Sequence, residues 1–208
     1  MRPRRRRVGP LILAGAVLGW LAAGIYYLLS APEGLRPSML GGLTSAGTSQ
    51  IGGPFKLTDQ NGLLRSDSEF RGQMMLVFFG YTNCPDVCPT SLGAMTEALN
   101  LLGESGNLVR PIFVTIDPAR DTVEQLKLYA QGFHPRLVLL TGPENEIARA
   151  AKAYRIYAAK SKDSGEGSDY LMDHSSYIYL MGVDGRYVTH FAPGTAPDKM
   201  AEAIRQYL

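Results

Sequence analysis

The stretch "MMLVFFGYTNCPDVCPTSLGAMTEALNLL", Met74 to Leu102, decides the fold. Its first eight residues, Met74 to Tyr81, are apolar throughout, the pattern of a strand buried on both faces as in a parallel sheet. Beyond them Leu92, Met95, Leu99 and Leu102 recur at helical spacing. Pro89 fits the first turn of that helix, where a missing N–H costs nothing. A buried strand that passes through a short loop into an amphipathic helix is an α/β unit. The chain's two cysteines, Cys84 and Cys88, sit in that corner, each followed by proline. In open α/β sheets the carboxyl ends of strands are where binding and chemistry gather.

Downstream the alternation continues. "PIFVTI", Pro111 to Ile116, is the next strand, "RDTVEQLKLYAQ" the next helix, "RLVLLTG" a third strand, and "PENEIARAAKAYRIY" is helical from about Glu144. "SKDSGEGSD", Ser161 to Asp169, is a polar loop. "SSYIYLMGVDGRYVTHFAP" reads as an antiparallel hairpin turning at Asp184-Gly185, and "TAPDKMAEAIRQYL" as a closing amphipathic helix capped by Thr195. Upstream, "FKLTDQNGLL" reads as a hairpin with Asn61-Gly62 as its turn. The whole is an α/β fold with a mixed central sheet flanked by helices, expected over residues 54–208.

The N-terminus has a different composition. Residues 1–7 form a basic arm with five arginines, and Val8 to Leu29 carry no charge. Those 22 residues make roughly 33 Å of helix at about 1.5 Å per residue, enough to cross a bilayer core of about 30 Å. The positive-inside bias holds the arm in the cytoplasm and sends the rest of the chain across. A cleaved signal peptide also begins with basic residues and an apolar run, but here the run is long and bulky Leu29 stands where a cleavage site wants a small residue. Residues 30–53, rich in Gly, Ser and Thr from Gly41 to Pro54, read as a flexible tether.

The formal net charge is +2, from 21 basic and 19 acidic residues; without the arm it is −3. The exported domain therefore has no basic excess with which to bind nucleic acid. Its cysteines lie in a compartment that permits disulfides. A bridge across three residues, however, constrains little of the unfolded chain, so function explains their closeness better than stability does.

Cys84 and Cys88 stand at i and i+4, which puts both side chains on one side wherever the loop is already helical. A helix N-terminus lowers a thiol's pKa, and the thiolate both binds metals and attacks disulfides. This supports reactivity without choosing between a redox dithiol and a metal grip. A third ligand has to come from the three histidines. His174, in "YLMDHSSYIYL", precedes an apolar strand and is placed to face the cysteine loop, whereas His134 and His190 read as surface or capping residues. Two thiolates and one imidazole form a soft set suited to Cu(I) and acceptable to Cu(II), while structural zinc usually takes a fourth protein ligand.

Four segments, "FFGYTNCPDVCPTS", "FVTIDPARDTVEQL", "LTG" and "MDHSSYIYLM", together resemble the Sco/SenC family of copper-binding assembly proteins for cytochrome c oxidase. The resemblance covers nearly everything beyond the tether, and the single N-terminal anchor matches the family's layout. It implies a thioredoxin-like fold, copper bound by Cys84, Cys88 and His174, and a role in building the binuclear copper (CuA) centre of oxidase subunit II. That role is performed by delivering copper, by reducing the target's cysteines, or both. Other periplasmic copper chaperones and a thioredoxin-like reductant are the further partners it implies. The compact anchor, with no long Arg- and Ser-rich presequence before it, favours a bacterial inner membrane with the domain in the periplasm. Asn83 departs from the histidine that many members carry there.

The alternatives are a thiol-disulfide oxidoreductase that uses Cys84 and Cys88 as a redox dithiol without copper delivery, and a redox or copper sensor. A thioredoxin-type enzyme uses C-x-x-C facing a cis-proline; this chain has C-x-x-x-C, no proline between Pro143 and Pro193, and His174 at the corresponding loop. A peroxidase needs one uniquely activated cysteine, and in the sequence nothing separates the two. Asp121 and Glu124 read as a helix cap and capping box, Asp117 as either structural or site-shaping, Asp86 as solvent-facing and Asp173 as an orienting neighbour of His174. Phe78, Phe79, Tyr177 and Tyr179 read as core, and Met74, Met75 and Met172 as core fillers rather than ligands.

Overall fold

A computed structural model describes residues 51–161 and 170–208, together with Trp20 and Tyr26, which are helical and exposed. The basic arm, most of the expected anchor, the tether up to residue 50 and the polar loop at 162–169 lie outside the described residues. Among the described residues no helix is long and apolar enough to cross a membrane.

The centre of residues 49–208, a compact unit, is β3 (Met74–Gly80), every residue of which is buried. It pairs in parallel with β4 (Val109–Thr115) and β4 with β5 (Val138–Thr141). Two hairpins complete the seven-stranded sheet. On one side β1 (Lys56–Asp59) and β2 (Leu64–Ser66) add antiparallel to β5, with Gly62 at φ 79° in the turn. On the other, β8 (Ile178–Met181) and β9 (Tyr187–Phe191) add antiparallel to β3, with Gly185 at φ 77°. The order is β2-β1-β5-β4-β3-β8-β9. A left-handed φ is what glycine adopts without a Cβ clash, so both turn signals in the sequence had a steric cause.

Helix α1 (Val87–Leu102) joins β3 to β4, α2 (Val123–Tyr129) joins β4 to β5, and α3 (Glu144–Ala153) follows β5. Helix α4 (Pro197–Arg205) closes the chain and packs against α1. Alternation along β3 assigns the faces. Phe79 turns to Tyr154 at the end of α3, with ring centroids 5.1 Å apart, while Phe78 and Gly80 turn to the side on which the Cys88 sulfur of α1 lies. The result is a mixed sheet with helices on both faces, an α/β fold of the thioredoxin-like kind.

A satellite sheet stands apart: β6 (Ala158–Lys160) and β7 (Met172–His174), paired antiparallel with Ala158 opposite His174. Three expectations need correction. The N-cap of α2 is Thr122, whose hydroxyl accepts from the Gln125 N–H, because Asp121 is fully buried and engaged elsewhere. The N-cap of α4 is Ala196, while Thr195 donates its hydroxyl to the Ala192 carbonyl. Tyr177 precedes β8 and is 41% exposed, whereas Phe78, Phe79 and Tyr179 are buried as expected.

Candidate metal centre

The corner after β3 owes its shape to a missing side chain. A Cβ on Gly80 would lie 2.7 Å from Cys88 Sγ and 3.0 Å from ring atoms of Phe78 and Phe113, so glycine lets the Cys88 sulfur press against the end of the strand. Helix α1 starts at Val87, which makes Cys88 a first-turn residue and leaves Cys84 in the preceding loop. The Cys88 N–H points at Cys84 Sγ across 3.5 Å, the use of a helix N-terminus that the sequence anticipated. Asn83, Pro85, Asp86 and Val87 form an exposed rim around the two sulfurs.

Asp121 holds this loop from beneath. Its carboxylate accepts from the hydroxyls of Thr82 and Thr115, both at 2.6 Å, and from the Thr82 N–H at 3.1 Å. It thereby ties the loop after β3 to the end of β4. Burial pushes its pKa up, against the lowering effect of the two threonine bonds. Asp117, also buried, pairs with Arg120 Nε at 2.5 Å and accepts from the Tyr170 hydroxyl at 2.6 Å.

His174 arrives from β7 and completes the cluster. Its Nε2 is 3.6 Å from Cys88 Sγ, and single ligand atoms of Cys84, Cys88 and His174 all lie within 4.8 Å of one another. The ring packs edge-on against Phe78 and Tyr81, with centroids 6.2 and 6.0 Å away. Nδ1 lies 3.1 Å from the Ser175 carbonyl. A carbonyl only accepts, so Nδ1 carries the proton and Nε2 turns its lone pair toward the sulfurs, the tautomer that suits a metal ligand. Asp173 does not orient the ring as expected: its side chain is exposed on the other side of β7, and Ser175 does that work.

The two thiols are not equivalent. The hydrogen bond from Cys88, with help from the backbone N–H groups of Asp86 and Cys88, holds the Cys84 thiol down to about 5. Cys88 moves the other way, raised by the same hydrogen bond and by burial. Half-buried Cys84 is thus the thiolate and fully buried Cys88 keeps its proton, a distinction that the spacing alone does not reveal. The single Cys88 proton faces two lone pairs, on Cys84 Sγ and His174 Nε2. A cation with affinity for soft donors would satisfy all three atoms at once, so the residues fit a thiophilic metal.

Neither of the other histidines approaches. His134 Nδ1 accepts from the Arg136 N–H, and His190 stacks on Tyr187 and hydrogen-bonds its hydroxyl. Met74 and Met75 are core residues. A groove of about 990 Å³ runs beside the centre, lined by Ile116, Ile147, Lys160, Tyr170 and Met172 but by none of the three ligand candidates. The convergence point itself has the dimensions of an ion's site rather than an organic substrate's.

Comparison with known proteins follows the same lines. The family model SCO1/SenC matches residues 44–208. The SCO2-like protein RC0895 of Rickettsia conorii is 40% identical over 156 residues, 75% of this chain and 76% of that protein. Among solved structures, Bradyrhizobium japonicum ScoI with copper bound is 46% identical, with a TM-score of 0.70 over 76% of this chain and 99% of that one. BsSco, in which a disulfide switch was identified and which is described as a member of the Sco family of cytochrome c oxidase assembly proteins, is 28% identical. Its TM-score is 0.61, over 76% of this chain and 94% of that one.

Proposed function

The chain belongs to the SCO1/SenC family, and from that premise we propose that it is a copper-binding protein of cytochrome c oxidase assembly that carries its ion between Cys84, Cys88 and His174. The observation that carries this reading is the convergence of two sulfurs and an imidazole nitrogen within 4.8 Å. Copper, as cargo, prefers this soft set. The chain's own part is to supply Cys84 as a ready thiolate, to release the Cys88 proton, and to keep Nε2 unprotonated. With three protein donors next to an exposed rim, a partner's thiolates can replace the ligands one at a time.

The partner in this proposal is oxidase subunit II, whose binuclear CuA centre receives the copper. The membrane enters through residues 8–29 as an uncleaved single-pass anchor, which leaves the copper-binding domain in the bacterial periplasm. Five arginines before 22 uncharged residues support that placement.

A second reading is favoured by the asymmetry of the thiols. A half-buried, accessible thiolate paired with a fully buried thiol is the arrangement of a disulfide reductase. Cys84 attacks a target disulfide, forming a mixed disulfide and expelling one target thiolate. Cys88 then gives its proton to the target thiolate already expelled and attacks Cys84 Sγ, expelling the second target thiolate. Two electrons pass to the target and the chain keeps the Cys84–Cys88 disulfide, which a thioredoxin-like reductant resets.

Mixing copper-loaded chain with reduced, copper-free subunit II decides between the readings. Delivery raises the partner's copper content with no added metal. Reduction alone leaves that content unchanged, and instead converts an oxidised partner to its dithiol when copper-free chain is supplied.

A further inference from the structure

His174 is borne by the satellite sheet, and among the described contacts a small set of side chains holds β7 against the main fold. Tyr170, four residues before His174, lies between two cations: Arg120 Cζ stands 3.7 Å above its ring and Lys160 Nζ 4.1 Å from it. Arg120 Nη1 also donates to the Tyr170 carbonyl at 2.8 Å, and the Tyr170 hydroxyl donates to Asp117 at 2.6 Å. Asp117 in turn fixes Arg120 through Nε. Two residues on, the Met172 N–H donates to the Tyr81 hydroxyl at 3.2 Å, and the Tyr81 ring packs edge-on against His174.

We propose that Tyr170, Arg120 and Asp117 form a latch that positions His174: they pin the start of β7 to the β4–α2 loop and so hold the imidazole over the two sulfurs. These are positioning residues, which act through His174 and touch no ion. A ring stacked between cations contributes more when it also fixes a backbone, because the guanidinium's planar fork engages the ring and the carbonyl together. Without the latch, the described contacts left to β7 are its pairing with β6, the hydrogen bond to Tyr81, and the packing of His174 and Met172 on the main fold. His174 then spends part of its time away from the cysteines, and the chain falls back on its dithiol.

This inference rests on the copper reading, so its test has one arm with metal and one without. In the full chain, Tyr170→Leu removes the stack and the Asp117 bond, and Tyr170→Phe retains the stack. With metal, competition of Cu(I) against a chelator is measured in the native and His174→Ala backgrounds. Tyr170→Leu weakens copper retention by about tenfold in the first, the scale on which an outer partner orients a ligand. It has no further effect in the second, and Tyr170→Phe recovers most of the loss. Without metal, amide hydrogen exchange at Met172 speeds up in Tyr170→Leu, while exchange in β3 is unchanged.

Unchanged copper retention in the native background, equal weakening in both backgrounds, or unchanged Met172 exchange overturns the latch. A native chain that takes up no copper defeats the functional reading instead, and the exchange arm still judges the latch. Arg120→Gln repeats the test from the other side of the stack should Tyr170→Leu fold poorly.

Discussion

The cysteine corner and the β6–β7 hairpin contribute to one site, yet they are built to different standards. Cys88 is fully buried in the first turn of α1, its sulfur against the glycine that ends the wholly buried strand β3. His174 sits at the end of a three-residue strand whose burial is only partial and which, among the described residues, pairs with β6 in a two-stranded sheet. Two ligand candidates are thus products of the core, and the third is attached to it by side-chain contacts. The lesson is a division of labour. The placement of the dithiol does not depend on His174, so under the proposed readings the dithiol alone suits redox chemistry and binds metal when the imidazole joins it.

The strongest way to break this contrast is to remove a sulfur. Cys88→Ser abolishes copper uptake by the reduced chain, read as bound copper after gel filtration, because a single thiolate with an imidazole no longer forms the soft grip. His174→Ala is the next largest effect. It weakens copper retention by about a hundredfold or more, beyond the range that loss of an outer partner costs, while the Cys84–Cys88 disulfide still forms at the native rate. If disulfide formation slows as much as copper binding weakens, the two regions are not separable.

Stability sharpens the comparison from the side of the corner. Gly80→Val drives methyl groups into Cys88 Sγ and two phenylalanine rings and costs about 1–3 kcal/mol in denaturant unfolding. Asp121→Ala leaves the buried Thr115 hydroxyl and the half-buried Thr82 hydroxyl and N–H without their carboxylate acceptor, also a loss of about 1–3 kcal/mol. Tyr170→Leu, on the hairpin, changes unfolding less than either.

The smallest effect separates the two thiols. The Cys84 pKa is depressed from an ordinary value of about 8.5 to about 5, so the folded state binds fewer protons there than the unfolded chain. Its contribution to stability is complete above the unfolded value and is lost as pH falls through about 5. Alkylation of Cys84 by iodoacetamide therefore holds its rate from pH 8 to 6 in the folded chain. In urea it falls steadily over the same range, and Cys88, slow at every pH in the folded chain, reacts like Cys84.

Much of this was legible in the residues. β3 showed itself by an unbroken apolar run, α1 by Leu92, Met95, Leu99 and Leu102, and the two hairpins by Asn61-Gly62 and Asp184-Gly185, since each pattern has a local steric or hydrophobic cause. His174 is placed near the cysteines because it stands at the mouth of an apolar strand that can face their loop, whereas His134 lies in a helix-to-strand connection and His190 on an exposed hairpin. What depends on distant neighbours was not legible. Asp121 has the sequence signature of a cap, and only the proximity of Thr82, 39 residues away, turns it into a buried tie. The inequality of Cys84 and Cys88 follows from where α1 begins relative to Gly80, which spacing does not state. Tyr170 closes a polar loop in the sequence, and nothing local announces that Arg120 lies over its ring.

The central claim is that one copper ion is held by Cys84, Cys88 and His174 together. X-ray absorption at the copper edge of the reduced, singly loaded chain measures this directly. The account predicts a shell of two sulfurs and one imidazole nitrogen, and the loss of the nitrogen in His174→Ala. A shell of sulfur alone in the native chain, or one identical in the variant, contradicts it.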